Sequence, residues 1–433
     1  MSNGESDTLL EHEPIVEEPT VSSVEVPAEF ARMMDPAVKA DPYPWYAGLR
    51  AETPVHRLSD DVWIAVGYEA VVAAVRDPVR LSSELGMGGL MTGRVGPNRV
   101  DSQEVFGLDL RGLRVLIASD PPDHTRLRRL LSRAFTPRSI SSLEPRLRQL
   151  CDSMVDQLLE AGTDGDLVTH VAYPFPVTVI AELLGIPAGR RQDFKRWSDA
   201  LVGVISGVWD MASGQESILE MFAYLGEVVA ERQDYPSDDL IGRLVAASHD
   251  DGDEEPLTAL EITMFVILLL VAGNETTTNL VGNGYAGLLR HPDVARRMRA
   301  EPSLVPAVIE ETLRYDGPVQ ALFRGATADV CLAGVEIPAG ATVMVAFAAA
   351  NRDPARFADP DRFDPDRDAH DHLGFGHGIH YCLGASLARL EARIVAETLL
   401  ERTRSVTPTG EATRVDSVIL RGFTHLPVEA RAR

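Results

Sequence analysis

The chain has 433 residues, 45% of them hydrophobic, a net charge of −24 and three cysteines. A chain this acidic is a poor non-specific ligand for nucleic acid or an anionic membrane. Cys151, Cys331 and Cys382 are too few and too scattered for a disulfide framework, which points to a reducing cytoplasm.

Residues 1–30 hold eight acids and no Lys or Arg. They lack the basic and apolar regions of a signal peptide and read as a disordered acidic tail. DPAVKADPYPWYAGLRAETPVHRL then gives a helix start and strand-like residues, and VWIAVGYEAVVAAVRDP runs from strand into helix. Residues 81–112, rich in Gly and polar residues, are too long for a plain connector and read as a functional loop. From Asp120 helices dominate, in HTRLRRLLSRAF, SSLEPRLRQLCDSMVDQLLEAG and VTVIAELLGI. A short helix and an acidic loop occupy 236–256. A very long helix follows from about Leu257 to Leu289; its apolar run, MFVILLLVAG, is about half the ~20 residues a bilayer needs.

VPAVIEETLRY is another helix, followed by hairpin-like strands in ADVCLAGVEIPAGATVMVAF with turns at Gly334 and Pro338–Gly340. A Pro- and Asp-rich coil leads to FGHGIHYCLGA, then to an amphipathic helix, LGASLARLEARIVAETLLER, and short strands near ILRGFTHLPVEA. No repeat or composition break marks a second domain. The expected fold class is mainly α with a small β portion, as one helix-rich domain over residues 31–433.

Cys382 precedes a helix of roughly 20 residues, where unpaired N–H groups and the positive dipole end favour a thiolate. Gly378 and Gly384 allow tight turns and close approach to a flat ligand, and Phe375 is placed to shield the sulfur from water. A thiolate so held suits haem iron. The alternative is a buried structural thiol, and the spacing F-x-x-G-x-x-x-C-x-G favours ligation.

From about residue 30 to its end the chain resembles a cytochrome P-450 of the soluble, actinomycete-like bacterial type. The resemblance implies the triangular P-450 fold, with haem b held noncovalently and Cys382 as the axial ligand of its iron. It also implies that VAGNETTTN, residues 271–279, crosses the oxygen-binding face. There the Thr276 hydroxyl can bond back to the Ala272 carbonyl and open a groove, and Glu275 can relay protons to bound O2; a kink without chemistry is the alternative. In ETLR, Glu311 and Arg314 lie one helical turn apart. The resemblance makes them scaffold, with an Arg of the following coil as third partner: Arg362 matches best, and Arg367 is its rival. His124 and Arg128 share one helix face. With Arg324 and His380 they are the implied partners of the haem carboxylates.

The resemblance further places Val204, Leu268, Ala272, Val319, Leu322 and Ile419 in an apolar substrate pocket, with a lid around the 81–112 loop and SGVWDMASG. The expected activity is a monooxygenase inserting one oxygen atom from O2 into a hydrophobic small molecule. Electrons come from NAD(P)H through ferredoxin and ferredoxin reductase. The candidate substrates are a secondary metabolite, steroid, terpenoid or fatty acid. A monomer with no membrane anchor and separate soluble redox partners is expected. Arg126, Arg129, Arg133, Arg389 and Arg393 are candidates for a basic ferredoxin-steering patch. The alternatives are a non-catalytic haem-binding or chaperone protein of this family, or a member acting on carrier-protein-bound substrates.

Overall fold

The computed structural model describes residues 28–91, 104–105, 108–109, 114–205, 211–247 and 255–433. The tail expected over residues 1–30 lies almost wholly outside them, as do much of the 81–112 loop and the first five residues of SGVWDMASG.

The apolar run sits inside one helix, Ala259–Arg290, opened by a capping box in which Thr258 and Glu261 satisfy each other's backbone N–H groups. By length and apolarity this helix passes the test for a membrane span. Its surroundings decide otherwise: helices Pro174–Leu183, Met211–Asp234, Val305–Tyr315 and Ala385–Arg402 pack around it. Asn274, Asn279 and Asn283 are buried along it. It is the spine of the main core.

A five-stranded sheet has its own core. Its order is Val55–Arg57, Val62–Ala65, Thr342–Val345, Leu322–Ala326 and Leu81–Ser82. Val62–Ala65 pairs parallel with Thr342–Val345, and the other pairings are antiparallel. The expected hairpin near residue 334 forms only in its first half. Val330–Leu332 pairs with Val335–Ile337 across Gly334, but Thr342–Val345 leaves for the large sheet. That exchange sets Arg324, on Leu322–Ala326, against two neighbours and buries it.

Two polar knots hold the coil before the cysteine. In the first, Arg314, fully buried, donates to both Glu311 oxygens at 2.7 and 2.8 Å. It also donates to the carbonyls of Asn351 and Pro360 at 2.9 Å and Arg362 at 3.1 Å. Asn351 passes the restraint on by accepting the Leu373 N–H at 2.6 Å, two residues before Phe375. The expectation for Arg362 needs correction. Its side chain is 70% exposed and 3.7 Å from Asp364, because the coil turns its carbonyl inward and its guanidinium outward. The guanidinium that reaches Glu311, at 3.6 Å, is that of Arg367.

In the second knot, buried Asp316 takes Arg421, Arg414 and Arg290, with the Tyr43 hydroxyl donating at 3.0 Å. Burial alone raises a carboxyl, yet the arginines outweigh it and hold Asp316 well below the usual range. This knot ties the first helices and the segment Arg414–Arg421 to the end of Val305–Tyr315.

Glu311→Gln and Arg314→Lys each leave buried partners unmet, and should each cost about 3–5 kcal/mol. Arg362→Ala keeps the carbonyl and should stay within about 0.5 kcal/mol. Urea midpoints of the three variants check this.

Candidate functional site

Cys382 lies at the foot of helix Ala385–Arg402, its N–H donating to the Phe375 carbonyl at 2.9 Å. The loop reaches that position through two left-handed glycines, Gly376 at φ 71° and Gly378 at φ 72°. A Cβ at Gly378 would also stand 2.8 Å from the Val75 carbonyl oxygen, so only glycine fits. Gly384 has φ −84°, and a Cβ there would meet the sulfur at an ordinary 3.9 Å. Its absence keeps the ground beside the sulfur bare rather than relieving strain.

Burial pushes the Cys382 thiol up. The N–H of Gly384, the charges of Arg128 and Arg389, and the N–H of Ala385 all pull the other way. Phe375 covers the loop, with the Arg389 guanidinium 4.5 Å from its ring centroid. Arg389 is fixed by Glu310 at 2.6 and 2.8 Å, and His372 meets the same carboxylate at 2.9 Å. Burial opposes the Glu310 charge, but those hydrogen bonds prevail and bring it down to about 2. His377 takes a hydrogen bond from Arg76 at 2.8 Å and stays apart.

The four expected anion partners come together. His124 and His380 have ring centroids 4.2 Å apart. Burial, then the charges of His124, Arg324 and Arg128, push His380 down to about 3. Arg324 is brought down to about 10 by burial, with Asp120 opposing. Arg128, also desolvated, feels Cys382. Buried His124 leaves its Nε2 without a partner among the described residues.

Three residues that the sequence reading missed shape this cradle: Asp120, Ser82 and Ser83. Asp120 accepts Ser82 Oγ at 2.5 Å and the Ser83 N–H at 2.9 Å, and Ser83 Oγ meets His380 Nε2 at 2.9 Å. Asp120 thereby anchors the start of the 81–112 segment, and no signal in the sequence pairs it with Ser82, 38 residues away.

On the long helix, the stretch Leu268–Thr276 is mostly only partly buried, and Ala272 is exposed, although both flanks are buried. Thr276 Oγ1 donates to the Ala272 carbonyl at 2.5 Å, the expected back-bond. Glu275, desolvated by burial, is pushed up to about 7. Val319 bridges to Leu420, and Gln320 N–H donates to the Ile419 carbonyl at 2.7 Å. Leu322 and Ile419 pack on one core cluster with Ile117 and Ala118, which also touch the main core. Val204 is in helix Arg191–Ile205, and its side chain lies outside the described residues.

The expected basic patch is largely spent on internal pairs. Arg126 meets Glu261, Arg389 meets Glu310, and Arg393 joins Glu144 at 2.8 Å and Glu397 at 3.4 Å. With Arg148, the last three residues form a four-charge network between helices Glu144–Ala161 and Ala385–Arg402.

The sequence profile of the family described as Cytochrome P450 matches residues 104–421. The chain belongs to the cytochrome P450 family. It is 42% identical over 403 residues to the cytochrome P450 monooxygenase PikC of Streptomyces venezuelae, covering 90% of this chain and 92% of that protein. Against the 6-deoxyerythronolide B hydroxylase of Saccharopolyspora erythraea the identity is 38%, covering 90% and 96%. The structure of cytochrome P450 CYP109Q5 from Chondromyces apiculatus superposes with a TM-score of 0.83 at 38% identity, covering 93% of this chain and 98% of that one.

This P450 has the donor set that the family's haem needs. A soft sulfur stands at a helix N-terminus, and metal binding deprotonates such a thiol outright. Two arginines and two histidines converge where their charges penalise one another, which a dianionic ligand relieves. The orphaned His124 Nε2 is a further donor or acceptor for it.

Removing one desolvated charge from this cradle should weaken haem retention. Arg128→Met and Arg324→Met should each speed haem transfer to apomyoglobin by roughly 10-fold or more, the value of a charge-assisted hydrogen bond. Transfer is followed by absorbance.

Proposed function

We propose that this P450 monooxygenase binds haem b through Cys382, with His124, Arg128, Arg324 and His380 holding its carboxylates. It inserts one oxygen atom from O2 into a hydrophobic small molecule. Haem supplies the O2-activating chemistry when bound, and the chain supplies the ligand, the pocket and the protons. The observation that carries this reading is the placement of an acid and an alcohol, Glu275 and Thr276, on the partly buried face of a helix otherwise lost in the core.

The roles follow from the geometry. Thr276, bonded back to the Ala272 carbonyl, competes with the helix ladder there, which favours a bend where O2 would sit. Glu275 at about 7 is protonated in part of the molecules at neutral pH, the condition for a proton donor. Leu268, Ala272, Val319, Leu322 and Ile419 offer an apolar lining that holds a substrate by desolvation and sets which C–H faces the oxidant.

The names of the relatives, a monooxygenase and a 6-deoxyerythronolide B hydroxylase, support a secondary metabolite as substrate and hydroxylation as the reaction. We take the chain to work as a monomer in the cytoplasm, as one haem domain over residues 31–433. Electrons arrive from NAD(P)H through ferredoxin reductase and ferredoxin. With Arg126, Arg389 and Arg393 paired internally, the choice of ferredoxin rests on kinship rather than on a basic patch.

Two experiments test this. Reduced protein under carbon monoxide should give the thiolate-type Soret band, and Cys382→Ala should abolish both the band and turnover. A haem protein without that band would overturn the ligand assignment. For the acid, the raised value fixes the sign: Glu275 holds its proton below about 7 and loses it above. Product formed per NADPH should therefore fall as pH rises through 7, and Glu275→Gln should remove that limb while releasing more peroxide.

A further inference from the structure

His124, Arg324 and His380 come from distant parts of the chain, yet one short stretch and the aspartate that folds it touch all three. Ser82 closes the edge strand of the large sheet, and a wide π-type turn, Glu84–Gly88, follows it. The Asp120 carboxylate accepts Ser82 Oγ at 2.5 Å, the Ser83 N–H at 2.9 Å and the Glu84 N–H at 3.3 Å. Its backbone carbonyl accepts the His124 N–H at 2.9 Å and so sets the first turn of helix Asp123–Ala134. Gly86 lies directly on Arg324: a Cβ there would stand 2.4 Å from the Arg324 Cα, so the two backbones touch. Ser83 Oγ meets His380 Nε2 at 2.9 Å, across 297 residues of sequence.

The last of these contacts fixes more than position. Ser83 is fully buried, and this is the one hydrogen bond that its hydroxyl makes, and that the His380 ring makes, among the described residues. A neutral imidazole donates from one nitrogen and accepts at the other, and the bond made by one nitrogen selects the form. A haem carboxylate only accepts. Arg128 and Arg324 match the two carboxylate charges of haem, so a further partner serves best as an uncharged donor. The Ser83 hydroxyl, with no other acceptor in reach, gives its proton to Nε2 and leaves the ring's own proton on Nδ1.

We propose that Ser83 is a positioning residue that holds His380 in the Nδ1–H form, so that this histidine donates to a haem carboxylate without adding charge to the cradle. The proposal rests on the reading of His380 as a haem-carboxylate partner. Asp120 is the brace of the device, because it fixes the Ser83 backbone while leaving the hydroxyl free to face the ring. A hydrogen bond to a haem carboxylate spreads its negative charge, and losing that bond favours the ferric state.

Ser83→Ala deletes one oxygen, and Ser83→Thr keeps the hydroxyl. The tautomer is read by nitrogen NMR on the haem-loaded, reduced and CO-bound protein with isotope-labelled histidine, the His380 signals being assigned by their absence in His380→Gln. The wild type should carry the proton on Nδ1, Ser83→Ala should show both forms, and Ser83→Thr should return to Nδ1. In Ser83→Ala the resonance Raman bending band of the haem carboxylates should move in the same direction as in His380→Gln, and the reduction potential should fall. Haem transfer to apomyoglobin should speed about 2- to 10-fold, the range of one neutral hydrogen bond. A packing role alone would alter haem transfer but not the tautomer. A wild-type ring protonated on Nε2, or a tautomer and Raman band unchanged in Ser83→Ala, would overturn the proposal while leaving His380 in the cradle. If His380→Gln itself leaves the Raman band and haem transfer at wild-type values, the carboxylate-partner reading falls instead.

Discussion

A partly buried sulfur in a glycine-rich loop is held by opposed forces, and much of the surrounding structure balances them. Desolvation favours the neutral thiol of Cys382, whereas two backbone N–H groups and the charges of Arg128 and Arg389 favour the thiolate. Neither set is of use unless the loop holds still. Its glycines permit the turn but do not fix it, and a flexible loop would let water reach the sulfur and dissolve the contest. The stiffening comes from outside: Arg314 and Asn351 tie the coil before the loop to helix Val305–Tyr315, and Glu310 of the same helix clamps Arg389 beneath Phe375. One helix thus restrains both sides of the cysteine.

Much of this was legible in the sequence because it is local. The helix after Cys382, the back-bond from Thr276 to Ala272, and the Glu311–Arg314 pair each lie within a few residues, where helical spacing dictates who meets whom. His124 and Arg128 were likewise readable as one face of one helix. What was not legible depends on register between distant segments. Arg362 and Arg367 sit five residues apart in an irregular coil, where no period says which side chain turns inward; the carbonyl of one and the guanidinium of the other end up at the same pair. Asp120, in coil, was hidden because its partners lie at and just after the distant strand Leu81–Ser82. The arginine patch failed for the opposite reason. Helical spacing put its members on exposed faces, but the acids of facing helices, Glu144, Glu261 and Glu310, arrive there only through packing.

The two sides of the site treat charge differently, and the difference matches their tasks. On the cysteine side the acids of helix Val305–Tyr315 have cations: Glu310 has Arg389 and His372, and Glu311 has Arg314 and Arg367. Glu310, held at about 2, keeps its charge near neutrality and so keeps Arg389 fixed beneath Phe375. On the opposite face Glu275 has burial and no compensating partner among the causes acting on it, which leaves it near 7. A group meant to release and recover a proton must be poorly stabilised in either form, and an ion pair would disable it.

The same contrast explains why polar residues are tolerated within the apolar helix. Asn283 spans two elements, donating to the carbonyls of Asp316 and Arg421 at 2.8 Å each, and so serves the scaffold. Asn274 buries an amide that satisfies nothing fully, a cost of about 1–3 kcal/mol if it served stability alone. Set next to Glu275, with its oxygen taking only the Thr278 hydroxyl at 3.4 Å, that loosely held amide instead marks where the helix gives up stability for polarity at the site.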